Sequence, residues 1–247
     1  MRTALKFLAA TVLAAAGNAH ALGNLVDVTI LDRHEGGVLP VHVHRGKHYV
    51  AGKPGNEYQV LIRNRSGEEV LAVLSVDGVN AITGETASPQ QSGYVIGPWG
   101  SVEVKGWRKS LERTAAFYFT ELPDSYAARS GRPDDVGVIG VAVFRRKMAP
   151  PPELLSRDMI QRGAAESPAP SAPRAKAEEK LGTGHGRNEP SPARYVEFER
   201  ESSTPNELVA LYYDSRPNLV ARGVIREQHP YRDPRPFPAG FVPDPLR

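Results

Sequence analysis

Histidines are concentrated near the beginning of the sequence, where four occur within fifteen residues, at positions 34, 42, 44 and 48. Neutral imidazole binds copper and zinc, and a His-x-His pair on a β-strand places both rings on the same face. His42 and His44 form such a pair. Because a zinc site needs three or four ligands, two histidines make an incomplete site. Because the pair could still supply two ligands, one alternative is a periplasmic copper or zinc binding protein that uses His42 and His44.

The turn after this pair decides which rings share a face. Arg45-Gly46 has the composition of a two-residue turn, which predicts three cross-strand pairs: His44 with Lys47, Val43 with His48, and His42 with Tyr49. This register places the His-x-His pair on one face and His48 on the other. The lysine of the first pair would repel a bound cation. The competing interpretation is that the two rings face solvent while Val41 and Val43 face the core.

Two tryptophans and one long loop have the composition of a recognition surface. Trp99 lies in the turn sequence GPWG, and Trp107 follows a glycine at the end of a predicted strand. The segment 121–136 carries aromatic and charged side chains suited to hydrogen-bonded recognition: Tyr126, Arg129, Arg132, Asp134 and Asp135. The alternatives are that each Trp ring caps the core and that the Arg and Asp side chains only order their own loop. An exposed Trp pair would suit stacking on sugars, so a glycan is one candidate ligand.

Catalytic motifs are absent from the sequence. It contains neither the Gly-x-Ser-x-Gly nucleophile elbow nor the His-Glu-x-x-His zinc motif. No glycine-rich phosphate loop precedes a predicted helix, and no cofactor is expected. No catalytic residue is therefore predicted, although a hydrolase whose site is assembled from distant residues stays an alternative.

The domain that positions these side chains is expected at residues 22–147. Residues 26–30 and 57–63 alternate apolar and polar side chains as half-buried strands do. Residues 70–76 are nearly all apolar, which predicts a central strand covered on both faces. Eight or nine short strands separated by Gly, Pro and Asn predict an all-β domain, an antiparallel β-sandwich or jelly roll.

Residues 148–192 change in composition and are predicted to be a flexible Pro/Ala-rich linker. Three consecutive prolines, an alternating Ser-Pro-Ala stretch and the glycines of 182–186 leave little apolar surface to offset the ordering entropy. One short helix at 152–161 is possible within it.

Residues 193–227 are expected to form a small C-terminal module. Residues 208–213 and 219–225 flank a turn-like sequence and predict a β-hairpin, with a further strand at 195–199. A helix that begins after Thr204 is the alternative.

The Pro-rich tail at 228–247 carries Tyr231 and Phe237. Prolines at this density favour an extended chain that can enter an aromatic-lined groove at low entropic cost. The alternative is a frayed terminus without a role.

Several stretches carry a resemblance: SVDGVN at 75–80, GETA at 84–87, GWRKS at 106–110, DSYAARSGRP at 124–133 and GVIGVAVF at 137–144. They resemble an uncharacterised family of secreted bacterial proteins over most of residues 30–145, and a weaker likeness covers 211–216 and 218–223. The resemblance implies a recurring secreted domain and carries over no catalytic residue.

The N-terminus has the three-part form of a secretory signal. Arg2 and Lys6 precede an apolar run at 7–16, and Ala19-His20-Ala21 supplies small residues at a cleavage site. Cleavage near Ala21 predicts a periplasmic or secreted protein, and the run is short for a membrane anchor. The sequence contains no cysteine, which excludes a lipoprotein anchor and disulfides.

The charge balance argues against nucleic acid as a partner. Without Arg2 and Lys6 the chain has 29 basic and 28 acidic residues, a net charge of +1. Nucleic-acid binding proteins instead carry a basic stripe. The function expected from the sequence is a non-enzymatic exported binding or structural protein, a scaffold or adaptor of the cell envelope whose partner is an envelope protein or a glycan.

Overall fold

The computed structural model describes residues 22–148 and 180–226 of the 247-residue chain. The predicted signal peptide at 1–21, the possible helix at 152–161 and the tail with Tyr231 and Phe237 lie outside these residues. No helix in the described part of the chain is long and apolar enough to cross a bilayer.

The described residues form fourteen strands and two short helices. They are β1 (Val26–Asp32), β2 (Gly37–Val38), β3 (Val41–His44), β4 (Lys47–Gly52), β5 (Glu57–Asn64), β6 (Val70–Val76), β7 (Val79–Asn80), β8 (Tyr94–Ile96), β9 (Ser101–Val104), β10 (Gly106–Arg108), β11 (Arg113–Glu121), α1 (Tyr126–Arg129), β12 (Val138–Arg145), β13 (Leu181–Pro190), β14 (Glu207–Ser215) and α2 (Arg216–Ala221). A single 3₁₀ turn, Leu122–Asp124, precedes α1.

The strands form two seven-stranded sheets that enclose the main core. The first has the order β10-β11-β5-β1-β2, with β13 on β11 and β9 on β5. The second has the order β3-β4-β14-β12-β6-β7, with β8 on β6. All pairs are antiparallel except β4 with β14. The predicted all-β sandwich is confirmed.

Apolar alternation explains how the sheets pack. Alternate residues of β1 and β5 are buried between the sheets. β6 is buried at six of its seven positions, because Leu71 and Val73 on its outer face pack with Phe144 and Phe198. The prediction of a strand covered on both faces is confirmed.

The predicted C-terminal hairpin is wrong in its second half. Residues 207–215 form β14, but the next residues form α2, because the Ser215 hydroxyl accepts the Asn218 N–H and Pro217 occupies the first turn. Leu219 and Ile225 then pack on Tyr49 of β4. The strand expected at 195–199 is also absent. This part of the chain is no separate module, since β14 lies inside the second sheet between β4 and β12.

The predicted linker at 148–192 is wrong for residues 181–190, which form β13 along the whole of β11. Gly182, Gly184 and Gly186 recur with the period of a strand. A Cβ on Gly184 would overlap the Tyr118 ring, and one on Gly182 would lie 2.5 Å from the Ser125 Cβ. These glycines are needed for close packing, whereas their composition suggested a flexible chain.

Candidate functional site

Trp99 lies on the turn between β8 and β9 and is 69% exposed. Its φ of 57° is in the left-handed region, which is a genuine outlier for a bulky side chain. The Trp99 N–H donates to the Ser66 carbonyl of the neighbouring β5–β6 turn over 3.1 Å. The surrounding structure thus holds an exposed indole on a strained backbone.

Asn64 joins the two turns. Its buried side-chain amide donates to the carbonyls of Glu68 and Gly97, at 2.6 and 2.9 Å. Its carbonyl oxygen accepts the N–H and the hydroxyl of Ser66, at 2.9 and 2.8 Å. The Asn64 N–H also donates to the Gly100 carbonyl over 2.8 Å. These bonds hold the Trp99 turn in one conformation.

Trp107 is only 3% exposed and belongs to the core. Its ring meets Phe117 edge-on, with ring centroids 5.1 Å apart, and tilts against Tyr126 at 4.9 Å. Its indole N–H donates to the Gly184 carbonyl over 3.4 Å. The two tryptophans therefore do not form the exposed pair that the glycan hypothesis considered.

The loop 121–136 is ordered by caps and contains no Arg–Asp network among the described residues. The Ser125 hydroxyl donates to the Leu122 carbonyl and accepts the Ala128 N–H, at 2.8 and 3.1 Å. Arg132 donates to the Gly84 carbonyl over 3.1 Å. Arg129 is exposed, and its guanidinium makes no hydrogen bond or ion pair within the described chain.

A groove of about 310 Å³ lies beside this loop, between α1 and β13. It is lined by Asp124, Tyr126, Arg129, Ser130 and His185. Of the residues predicted from the sequence, the structure brings Trp107, Tyr126, Arg129 and Arg132 into this region.

Trp99 is separate from that groove. Its turn is held by Asn64 at one end of β5, whereas Tyr58 near the other end pairs with Phe117, which in turn pairs with His185. The six residue steps from Tyr58 to Asn64 span about 20 Å. The two surfaces therefore lie toward opposite ends of the first sheet.

Asp77 is a buried carboxylate on the Asp-Gly turn between β6 and β7. Its Oδ1 accepts the Tyr213 hydroxyl and the Gly137 N–H, at 2.5 and 2.9 Å. Its Oδ2 accepts the Thr183 N–H at 2.7 Å. Burial raises the pKa of Asp77 to about 6, although these hydrogen bonds oppose the shift.

The hydroxyls around Asp77 form one directed chain. Because Tyr213 donates to Asp77, its oxygen accepts the single proton of the Thr183 hydroxyl at 2.6 Å. The Thr183 oxygen then accepts the Tyr58 hydroxyl, also at 2.6 Å. The chain joins residues of both sheets inside the core, and all four of its residues are buried.

The histidine pair has the predicted register. His44 faces Lys47, Val43 faces His48 and His42 faces Tyr49. Within the described residues, no group of three or more His, Cys, Asp or Glu side chains could hold a metal ion. The competing interpretation, in which Val43 faces the core, is wrong for this residue, which is 61% exposed.

No known protein family, curated protein or solved structure matches this chain.

Sequence reasoning missed three residues that organise these surfaces. Asn64 falls at the end of a predicted strand, Asp77 in a stretch that carries the resemblance, and His185 in the predicted linker. The Asp-Gly pair at 77–78 between apolar runs is a hairpin signal and could have located the β6–β7 turn. Nothing local in the sequence indicates that the carboxylate is buried.

Proposed function

We propose that this chain is a non-enzymatic, exported binding or scaffold protein of the cell envelope, and that the Trp99 turn is its recognition surface. The observation that supports the proposal is an indole that is 69% exposed on a turn held by Asn64. The partner is an envelope protein or glycan that covers this ring.

The energetics of the turn favour recognition. A left-handed backbone at a non-glycine residue costs about 1–3 kcal/mol and persists where the surrounding structure imposes it. Because the Asn64 hydrogen bonds already order the turn, the turn would lose little further conformational entropy when a partner covers Trp99. Trp is also the kind of side chain that dominates binding energy at interfaces.

Site-specific photo-crosslinking in the native cell tests the proposal. A benzophenone amino acid replaces Trp99 in one full-length variant and Leu208 in a matched control, since Leu208 of β14 is similarly exposed, at 71%. We expect one reproducible adduct from position 99 in the envelope fraction and none from position 208.

Equal adducts from both positions would indicate random collisions and contradict the proposal. Recovery of the protein from the cytoplasm would contradict export, and absence of any adduct from position 99 would contradict recognition by this turn.

A further inference from the structure

We propose a second binding site, in the groove between α1 and β13, for an acidic sugar: a pyranose ring that bears a carboxylate. The site is independent of the Trp99 surface, because the two lie toward opposite ends of the first sheet. Its lining combines a ring surface, a cation and a hydrogen-bond acceptor.

Two rings of the groove lining, those of Tyr126 and His185, lie at the end of a series of four contacting rings. Phe117 and Trp107 lie in the core, Tyr126 packs on Trp107, and His185 lies 5.6 Å from Tyr126 between ring centroids. The His185 side chain is exposed, so the series ends at solvent with a flat ring. Partial burial, followed by the charges of Lys109 and Arg129, lowers the pKa of His185, which favours the neutral form of the ring. A neutral imidazole can pack against the C–H face of a sugar.

The cation in the groove lining favours a carboxylate. The guanidinium of Arg129 is unpaired within the described chain and lines the groove. Guanidinium and carboxylate groups form bidentate, charge-assisted hydrogen bonds. Lys109 adds a second positive charge close enough to affect His185.

Asp124 on the same rim restricts the ligand further. Its carboxylate repels a doubly charged phosphate about twice as strongly as a singly charged carboxylate at the same distance, and it accepts hydrogen bonds from hydroxyl groups. A ligand that suits the whole lining has a ring that bears several hydroxyls and only one negative charge. These are the features of a uronic acid unit.

Specific contacts hold the backbone of the two groove walls together. Ser125 caps α1 through its hydroxyl. The close approach of Ser125 to Gly182 packs the loop on β13, since a Cβ at Gly182 would lie within 2.5 Å of the serine Cβ. Arg129 and His185 are therefore presented together by two elements in tight contact.

Titration calorimetry on the mature full-length protein tests the site. The probes are trigalacturonic acid, its neutral methyl ester and sodium acetate, which separate the acidic sugar from a sugar alone and from a carboxylate alone. We expect the acid to bind at least about tenfold more tightly than either control probe. The methyl ester lacks the negative charge, and acetate lacks the sugar ring.

Two arginine variants locate the binding. Arg129→Gln should weaken binding of trigalacturonic acid at least about tenfold, through loss of a charge-assisted contact. Arg63→Gln removes the same charge from an exposed position on β5 and should leave the affinity unchanged. Trp99→Phe should also leave it unchanged, which separates this site from the proposed recognition turn.

Absence of binding, equal binding of the neutral ester or of acetate, or an equal effect of both arginine variants would each overturn the site. None of these results bears on crosslinking at position 99, so the two proposals fail separately.

Discussion

Asp77 illustrates how one residue can join elements that are distant in sequence. Its carboxylate bonds to Gly137, to Thr183 of β13 and to Tyr213 of β14, while its own N–H donates to Val138. The left-handed backbone at Asp77, with φ of 53°, is one that Asp tolerates better than most residues. Through these hydrogen bonds the buried carboxylate of Asp77 joins the two sheets.

The first prediction follows from the raised pKa of Asp77. Because the folded-state pKa of about 6 exceeds the ordinary value of 3.8, the folded protein binds this proton more tightly than the unfolded chain. The contribution of Asp77 to stability is therefore complete below about pH 4 and falls as the pH rises to about 6, by up to about 3 kcal/mol. Urea unfolding between about pH 4 and pH 7 should show that the stability difference between wild type and Asp77→Asn shrinks as pH rises through this window.

Asp134→Asn is the control, because Asp134 is exposed and takes no part in the hydrogen bonds around Asp77. A difference between wild type and Asp77→Asn that stays constant across the same pH range would contradict the role given to Asp77.

At the scale of elements, β13 shows where composition misleads. Glycine frequency in 181–190 suggested a linker, but the alternation of glycine with Thr183 and His185 has the period of a strand. The flat glycine face accommodates Tyr118, whereas the intervening residues supply the buried hydroxyl and the groove imidazole. Composition therefore predicted flexibility where the period would have indicated close packing.

The second prediction concerns this glycine face. Gly184→Ala should destabilise the protein by about 1–3 kcal/mol, because the new methyl group would overlap the Tyr118 ring. Gly37→Ala on β2 is the matched control, since no atom lies within 4 Å of the position that its methyl group would take, and its effect should be below about 0.5 kcal/mol. Thermal unfolding of both variants measures the difference.

Tyr118→Ala should remove most of the penalty of Gly184→Ala in the double variant, because the two changes share one contact. Strictly additive effects would show that the packing of the tyrosine on the glycine is not the cause.

For the molecule as a whole, β13 and β14 mark the limit of prediction from the sequence, because both pair with strands that are distant along the chain. The sandwich, the buried β6 and the His44–Lys47 hairpin follow from local alternation and turn chemistry, and the structure confirms them. The position of β14 does not follow from local patterns, because its partner β4 lies about 160 residues away in sequence. The groove depends on β13 in the same way, since α1 and His185 meet only through its pairing with β11.

The third prediction follows from this topology. A chain stopped at Lys147 lacks β13 and β14, and so it loses an edge of the first sheet and an inner strand of the second. It should fail to fold, as measured by loss of cooperative thermal unfolding and of dispersed amide resonances. Co-expression of residues 180–247 should restore both signals, because that fragment supplies the two strands.

A cooperative, well-dispersed fragment 22–147 would show instead that the first twelve strands form a domain without the later ones.

The most direct test of the central claim is acrylamide quenching of tryptophan emission. The protein has two tryptophans, and because Trp107 is buried, the quenchable emission reports Trp99. We predict strong quenching of the free protein, protection when isolated cell envelope from the native host is added, and loss of the quenchable signal in Trp99→Phe. Quenching that the envelope leaves unchanged would contradict the account of Trp99 as the recognition surface.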